Sequence, residues 1–459
     1  MATEAKAAST QVDVGELVDR GAWGRYQQLA VGLTSLSVVI DGIDSQLLGI
    51  VIPAVMGDWG ATRTAFAPIL AAGFVGMMAG GAAAGVAGDR IGRRAALVAS
   101  VLLFGSMTIG ASMAPGLLAL GVLRFFVGVG LQGATPNAAA LVSEYVPERH
   151  RAFAVTATVV CVPLGAMLAG ILAIPVLPRF GWRALFAIGG LIPIGVGLVL
   201  IRLLPESPRF LAARADRWPE LARTLGRMGH RVPPTAIFVD RREAAARPAS
   251  IAALFGRERV SDTLALWGAF FFCLLAVYSG FNWIPSMLTG AGLAAGVANT
   301  GITTYNLGGV VGAIGGALAI RRFGSRVAMP AMAAGAVAAA VILRSMRFGP
   351  GHETSITLML GVIGALINAV QVTMYALGAH MYPTGVRATG VGTASSAGRI
   401  GAILSTYAGA WALERGGNRS FFLLVAASML AVAVSLGLIR RHIPAVDLAS
   451  SGRSSADGS

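Results

Sequence analysis

Two carboxylates, Asp41 and Asp44, lie inside the apolar stretch SVVIDGIDSQLLGIVIP at residues 37–53. If this stretch is a membrane-spanning helix that ends near residue 52, both groups are roughly 12–16 Å deep at the helical rise per residue. The i, i+3 spacing puts them on one helix face, where two negative charges favour retention of a proton by one of them. Carboxylates at such depth are costly and usually face a cavity or a partner. The pair therefore indicates proton or substrate coupling, with a structural pair to a buried arginine as the alternative.

Two arginines also lie within apolar stretches and could bind an anion. Arg124 and Arg399 are each several residues from the nearest polar segment. A guanidinium forms bidentate hydrogen bonds with a carboxylate, and its burial is costly unless it is paired. We expect Arg124 to contact either an anionic substrate or one of the two aspartates, and Arg399 to approach the substrate from another part of the chain.

These side chains need a scaffold that crosses hydrocarbon, and the composition is typical of one. The chain has 459 residues, of which 55% are hydrophobic and only 12% charged, about half the charged fraction of soluble domains. Twelve apolar runs are each long enough for a transmembrane helix. They cover roughly residues 28–52, 66–88, 95–113, 117–142, 153–175, 183–204, 264–286, 299–320, 327–345, 355–378, 389–413 and 420–440.

The twelve runs fall into two groups of six, and the arginines predict their orientation. Arginines concentrate in the loops after the second, fourth and eighth runs and in the central stretch, which predicts that these loops and both termini are cytoplasmic. The expected fold is an all-α membrane protein with twelve transmembrane helices in two pseudo-symmetric six-helix bundles. The predicted parts are a cytoplasmic N-terminal segment (1–27), the first bundle (28–204), a cytoplasmic central loop (205–263), the second bundle (264–440) and a cytoplasmic tail (441–459).

The sequence also argues against several other classes of protein. A net charge of +15 can indicate nucleic-acid binding, but arginines placed between apolar runs are explained by membrane orientation. No phosphate-binding loop and no metal-spaced histidine or cysteine cluster is present, so the sequence predicts neither an enzyme nor an ATP-driven pump. Both cysteines lie in apolar runs, which predicts no disulfide or metal site. No cofactor is expected, and a proton is the predicted coupling ion.

Two motifs recur in the two groups of runs. GVAGDRIGRR (85–94) follows the second run and IRRFGSR (320–326) the eighth, while EYVPERHRA (144–152) and MYPTGVRAT (381–389) end the fourth and tenth. Related six-helix halves are the architecture of a major facilitator transporter, with the substrate site between them. The Asp89 carboxylate is predicted to contact a helix N-terminus or an arginine and so to keep one face of the protein closed. The predicted gating residues are Gly85, Asp89, Arg90, Gly92, Arg93, Glu144 and Arg387.

An aromatic substrate would need a flat apolar pocket with a few polar groups. Polar and aromatic side chains inside the runs supply candidates, although any single one more often makes a helix–helix hydrogen bond. Besides Arg124 and Arg399, the predicted substrate-binding residues are Gln46, Gln132, Tyr278, Asn282, Trp283, Tyr305, Asn306, Asn368, Gln371 and Tyr375.

Several long stretches resemble the aromatic acid:proton symporter family of the major facilitator superfamily. They are DGIDSQLLG (41–49), LRFFVGVGLQGATPNAAALVSEYVPERHR (123–151), PESPRFL (205–211), NWIPSML (282–288) and YPTGVRATGVGTASSAGRIGAI (382–403). The resemblance covers nearly all of the membrane part, and the acid pair and the fourth run are its more specific elements. It implies import of a benzoate-type or hydroxybenzoate-type acid with protons, across the inner membrane of a bacterium.

Other functions remain open at this point. The chain could carry another organic ion, such as a dicarboxylate or a sugar acid, or export a drug, since exporters also place acids in the first span. A transceptor or chemoreceptor, which signals when it binds its ligand, is an alternative from a different functional class. We expect a monomer in contact with membrane lipid, because one chain holds a complete pseudo-twofold pore.

Overall fold

A computed structural model of the chain describes residues 11–233, 236–240, 254–256, 259–382 and 384–445. The apolar runs form long helices because a helix satisfies every backbone polar group within itself, as a segment in lipid requires. The described part begins with β1 (Gln11–Asp13) and α1 (Val14–Arg20), followed by α2 (Arg25–Trp59), α3 (Arg63–Ile91), α4 (Arg93–Ser112), α5 (Leu117–Tyr145) and α6 (Glu148–Leu203).

The predicted polar segments at 1–27 and 205–263 contain folded elements. After α6 come α7 (Pro208–Ala212), α8 (Trp218–Arg227) and β2 (Ile237–Val239), and β2 pairs in parallel with β1. We call the end of the helix bundle that carries these elements the loop face and the opposite end the far face. Ion pairs join the elements of the loop face, since Asp19 in α1 pairs with Arg151 and Arg209.

The second half repeats the helical pattern of the first. It contains α9 (Val260–Gly290), α10 (Ala295–Phe323), α11 (Ser325–Ser345), α12 (Glu353–Met381) and α13 (Thr384–Leu438). The chain returns to the loop face at its end, where the backbone N–H of Arg440 donates to Asp262 at the start of α9, at 2.9 Å.

Ten helices in the described part of the chain are long and apolar enough to cross a membrane. Two of them contain a break: α6 leaves helical geometry at Gly181 (φ 75°), and α13 does so at Gly416 and Gly417. The positive φ angles of Gly181 and Gly417 are accessible to glycine at little cost. Each broken helix spans twice the usual length, so the ten helices supply the twelve predicted crossings.

The two halves meet between the middle of the helices and the far face. Arg63 donates from Nε to Ser286 Oγ (3.0 Å) and from Nη2 to the Ser286 carbonyl oxygen (3.1 Å). Beside this contact, the Thr64 N–H donates to Glu414 Oε1 at 2.9 Å. Nearer the middle, a Cβ on Gly49 would lie only 2.3 Å from the Phe281 carbonyl oxygen. The far face is therefore closed by direct contact between the halves.

Candidate substrate and coupling site

The Asp44 carboxylate is part of a buried ion pair inside the first half. Arg124 in α5 donates from Nη1 to Asp44 Oδ2 at 3.3 Å, and the Thr108 hydroxyl in α4 donates to Oδ1 at 2.5 Å. The side chains of Asp44 and Arg124 are 0% and 6% exposed. Of the two partners considered for Arg124, the structure shows the aspartate. Because the two charges compensate each other, this pair can stay buried without an external ion.

Asp41 has a different environment, although it is one helical turn away on α2. Its carboxylate accepts hydrogen bonds from the hydroxyls of Thr135 and Ser45, the latter at 3.2 Å. Among the residues that the structure describes, no arginine lies within salt-bridge distance of Asp41. The two aspartates therefore differ in charge balance: Asp44 is neutralised by an arginine, and Asp41 is solvated by hydroxyl groups.

Arg399 in α13 reaches across from the second half to the first. Its Nη2 donates to the amide oxygen of Gln132 in α5, and its Nη1 lies 3.2 Å from the sulfur of Met77 in α3. The guanidinium is also close enough to the Tyr278 side chain and to Asp41 for its charge to interact with both. Arg399 has no carboxylate within salt-bridge distance in the described part of the chain, so neutral groups hold it at the meeting point of the halves.

Aromatic rings line the same region in a row. The ring centroids are 4.7 Å apart for Phe74 and Tyr278, 5.7 Å for Tyr278 and Phe281, and 5.9 Å for Phe281 and Tyr305, all edge-to-face. Only Phe74 comes from the first half. Edge-to-face stacking is a preferred geometry that fixes ring orientation. The row gives the region flat apolar surfaces beside a cation.

The second half contributes several buried polar atoms without a hydrogen-bond partner among the described residues. They are Ser279 Oγ, Asn282 Nδ2, Trp283 Nε1, Tyr305 OH and Asn306 Oδ1. The Asn306 Nδ2 group is used, since it donates to Gln46 Oε1 at 3.2 Å, and Gln46 in turn donates to the Phe281 carbonyl oxygen at 2.9 Å. Unpaired buried polar groups are rare and costly, so a concentration of them needs an explanation such as a ligand or ordered water.

The other substrate-binding candidates lie within the second half. Asn368 donates to the carbonyl oxygen of Gly364 in its own helix at 2.9 Å. The Tyr375 hydroxyl is 3.4 Å from Ser395 Oγ, and its ring packs on Phe270. Gln371, on the same helix, is partly buried. Ser395 lies one helical turn before Arg399 on α13, whereas the Asn368 bond stays within its own helix. The substrate-binding role of these three residues stays a prediction.

The predicted gating residues form a network on the loop face. Asp89 pairs with Arg93 at 2.5 Å, and Arg93 Nε is 3.5 Å from Glu144 Oε1. Glu144 also accepts a hydrogen bond from the Ser207 hydroxyl. The arginine partner predicted for Asp89 is therefore Arg93, four residues later in the same turn between α3 and α4. The gating role stays a prediction.

The rest of the gating motif has a structural role at a tight turn. Gly92 has φ 108°, and a Cβ there would lie 2.2 Å from a carboxylate oxygen of Glu206. Glu206 accepts the Arg94 N–H at the start of α4, at 2.9 Å. The carbonyl oxygen of Arg90 accepts a hydrogen bond from Arg214. Gly85 lies in α3 and Arg387 in α13, and the side-chain surroundings at these two positions are outside what the structure describes.

Sequence reasoning missed several partners that the structure shows. The hydroxyl of Thr108 donates a hydrogen bond to Asp44, and that of Thr135 donates one to Asp41. Met77 contacts Arg399. It also missed the contact of Arg63 with Ser286 on the far face. The available signal for Thr135 was its position three residues after Gln132, which puts both on one face of α5.

Comparison with known proteins places this architecture in a group of transporters. Residues 34–406 match the Major Facilitator Superfamily. The 4-hydroxybenzoate transporter PcaK of Pseudomonas putida is 33% identical over 439 residues, covering 95% of this chain and 97% of that protein. A gallate transporter from the same organism is 34% identical, covering 93% of this chain and 94% of that protein. The xylose transporter XylE of E. coli, in a partially occluded inward open conformation, superposes with a TM-score of 0.74 at 14% identity, over 91% of this chain and 99% of XylE.

Proposed function

Because this chain belongs to the Major Facilitator Superfamily, we propose that it imports a small aromatic carboxylate together with protons, by alternating access. The family and the relatives confirm the predicted fold and class, a membrane transporter and not an enzyme. The two relatives named above transport 4-hydroxybenzoate and gallate by name and match nearly the full chain, which supports an aromatic acid as the substrate.

The position of Arg399 is the observation that carries this proposal. It is a partly buried cation at the meeting point of the halves, and its hydrogen-bond partners in the described structure are the neutral side chains of Gln132 and Met77. A charged hydrogen bond to a carboxylate is stronger than one to an amide oxygen. A substrate carboxylate would displace the Gln132 amide oxygen from Arg399 and so bind at the meeting point of the halves.

Charge balance assigns the coupled proton to Asp41. Arg124 already neutralises Asp44, so the charges left to balance are those of Arg399, Asp41 and the substrate. With an ionised Asp41 and a bound carboxylate, the site would carry one excess negative charge, and a proton on Asp41 removes it. Since an uncompensated charge at this depth opposes movement through the closed state, substrate and proton cross together.

The aromatic row and the unpaired polar atoms suit the rest of the substrate. A ring that extends from Arg399 would pack against Tyr278 and Phe281, and Phe281 packs in turn on Tyr305. The Tyr305 hydroxyl and Asn282 Nδ2 are among the unpaired atoms, and each offers a hydrogen bond that a ring hydroxyl could satisfy. A pocket of this type holds an apolar ring and fixes its orientation by a few polar contacts.

The proposal includes a location and a conformational state. Arginine-rich loops predict that the loop face is cytoplasmic, so the closed far face is external and the described state faces inward. We place the protein as a monomer in the cytoplasmic membrane of a bacterium, in contact with lipid.

The experiment is uptake of labelled 4-hydroxybenzoate, and separately of labelled benzoate, into proteoliposomes, with and without an inward proton gradient. We expect the gradient to drive accumulation, a protonophore to abolish it, and benzoate to compete. Absence of accumulation for both acids, with folded protein in the vesicles, would contradict the proposal.

Variants then test the assigned roles. Asp41→Asn should abolish gradient-driven accumulation while exchange of internal for external substrate continues, because exchange needs no net proton movement. Arg399→Gln should raise the substrate KM strongly. Asp216→Asn and Arg347→Gln, which change exposed charges, are the matched controls and should transport normally. If Asp41→Asn still accumulates substrate, the proton does not bind at Asp41.

A further inference from the structure

A second cavity lies at the far face, outside the site described above. Its volume is about 330 Å³, and its walls come from α2 and α6 in the first half and from α9 and α10 in the second. It shares no residue with the Arg399 region. It adjoins the closed contact between the halves, since Pro285 in its wall precedes Ser286, which accepts from Arg63.

The walls of this far-face cavity are mostly apolar and contain flat surfaces. Three prolines, Pro53, Pro178 and Pro285, contribute rings from three helices, with Leu177 and Ile50 beside them. The volume is at the lower end of the range for small-molecule pockets, about 300–1,000 Å³. A molecule with a single aromatic or alicyclic ring is of the right size.

One end of the cavity is electropositive. The N-terminus of α10 begins at Ala295 in the cavity wall, its N-cap residue is Ala294, which has no capping side chain, and its first turn contains no acidic residue. The first N–H groups of a long helix lack intrahelical partners and carry partial positive charge, which favours an anion.

An unpaired amide lies at the same end. Asn299 lines the cavity and is 2% exposed, and its Nδ2 has no hydrogen-bond partner among the described residues. The hydroxyl of Thr289, also in the wall, is already used, because it donates to the Pro285 carbonyl oxygen at 3.0 Å. A buried donor without an acceptor beside an uncapped helix N-terminus is suited to an oxyanion.

We propose that the far-face cavity binds a small carboxylate with a flat apolar body, at a site separate from the central one. The carboxylate contacts Asn299 and the start of α10, and the ring lies among the three prolines. Because both halves form the walls, the ligand binds only while the far face is closed and stabilises that state. Binding does not depend on the proposed function, whereas one consequence does: external aromatic acids at high concentration should inhibit uptake without competing at the central site.

The test is protection of a single cysteine from a maleimide. The reporter is Ala295→Cys in a Cys161→Ser, Cys273→Ala background, with benzoate as the probe and benzamide as its uncharged analogue. We expect benzoate to slow the reaction in a saturable manner and benzamide to have little effect. Arg347→Cys, an exposed far-face position outside the cavity, should react at the same rate with and without benzoate.

Second substitutions separate this cavity from the central site. Asn299→Leu removes the donor, and Asn299→Asp keeps the size but repels an anion, so both should raise the half-protecting benzoate concentration at least about tenfold. Arg399→Gln should leave protection unchanged, even where uptake is lost. The proposal is overturned if benzoate gives no protection, if it protects Arg347→Cys equally, or if protection depends on Arg399 and not on Asn299.

Discussion

Substituting Gly49 by alanine should shift the protein away from the state with a closed far face. A Cβ at this position would lie 2.3 Å from the Phe281 carbonyl oxygen, in the opposite half. The two backbones would have to separate by about 1 Å to reach an ordinary contact, which also strains the hydrogen bond from Gln46 to the same oxygen. Overpacking of this kind costs roughly 1–3 kcal/mol, which corresponds to a change of about 5–150-fold in the ratio of closed to open states.

The population of each state can be measured by spin-label distances across the far face. Labels at Gly116→Cys and Arg347→Cys, in loops of the two halves, should report a longer distance and a larger open fraction for Gly49→Ala. Gly32→Ala in the same helix is the matched control, since a Cβ there has no atom within 4 Å. Alanine at that position should at most add helix stability, by up to about 1 kcal/mol.

A distance distribution for Gly49→Ala that equals that of Gly32→Ala would refute the reasoning. It would mean that the contact between Gly49 and Phe281 is relieved by local adjustment and does not hold the halves together. A fall in melting temperature with an unchanged distribution would lead to the same conclusion, because the strain would then act within the fold and not on the balance between states.

Three further changes have expected outcomes from the same contacts. Gly42→Ala clashes with a backbone oxygen of its own half at 2.1 Å, so thermal unfolding in detergent should show lower stability while the spin-label distances stay as in the wild type. Arg124→Gln leaves the Asp44 charge buried without its partner and should cost about 3–5 kcal/mol of stability; Asp44→Asn in addition should restore part of it, and an additive loss would contradict the pairing. Arg63→Ala removes two hydrogen bonds to Ser286, each about 0.5–1.5 kcal/mol, and should raise the open fraction in the same distance measurement without lowering the melting temperature.

The crossings were predictable because hydrocarbon imposes one strong constraint on sequence. Nine of the twelve predicted runs lie wholly within a helix, and the runs 95–113, 183–204 and 420–440 end one or two residues past theirs. Several helices extend past their runs, as α2 does at both ends. The breaks at Gly181 and Gly416 fall in the gaps predicted between runs, 176–182 and 414–419. The residue that breaks each helix is less predictable, since many glycines sit inside spans and only some have non-helical angles. The strands β1 and β2 have three residues each, which is too short for an alternating pattern to be recognised.

The candidate site was predictable in its charges and not in its hydroxyls. Arg124 and Asp44 are conspicuous in apolar runs because their burial demands a partner. Thr108 and Thr135 are not conspicuous, because threonine in a helix commonly donates to a carbonyl oxygen one turn earlier. Thr34 does this here, donating to Ala30 at 2.7 Å. Nothing local in the sequence distinguishes a threonine whose hydroxyl donates to a carbonyl oxygen of its own helix from one whose hydroxyl donates to a carboxylate on another helix.

The pairing of β1 with β2 has a consequence for the order of events during synthesis. Residues 11–13 leave the ribosome before the first six crossings, and their partners at 237–239 emerge only after these crossings have been synthesised. Chains grow at about 5–20 residues per second, so the leading segment waits many seconds without its partner strand. The two strands thus pair only after the first half has been synthesised. A bulky domain fused ahead of β1 should hinder this strand pairing more than it hinders membrane insertion of the first six crossings.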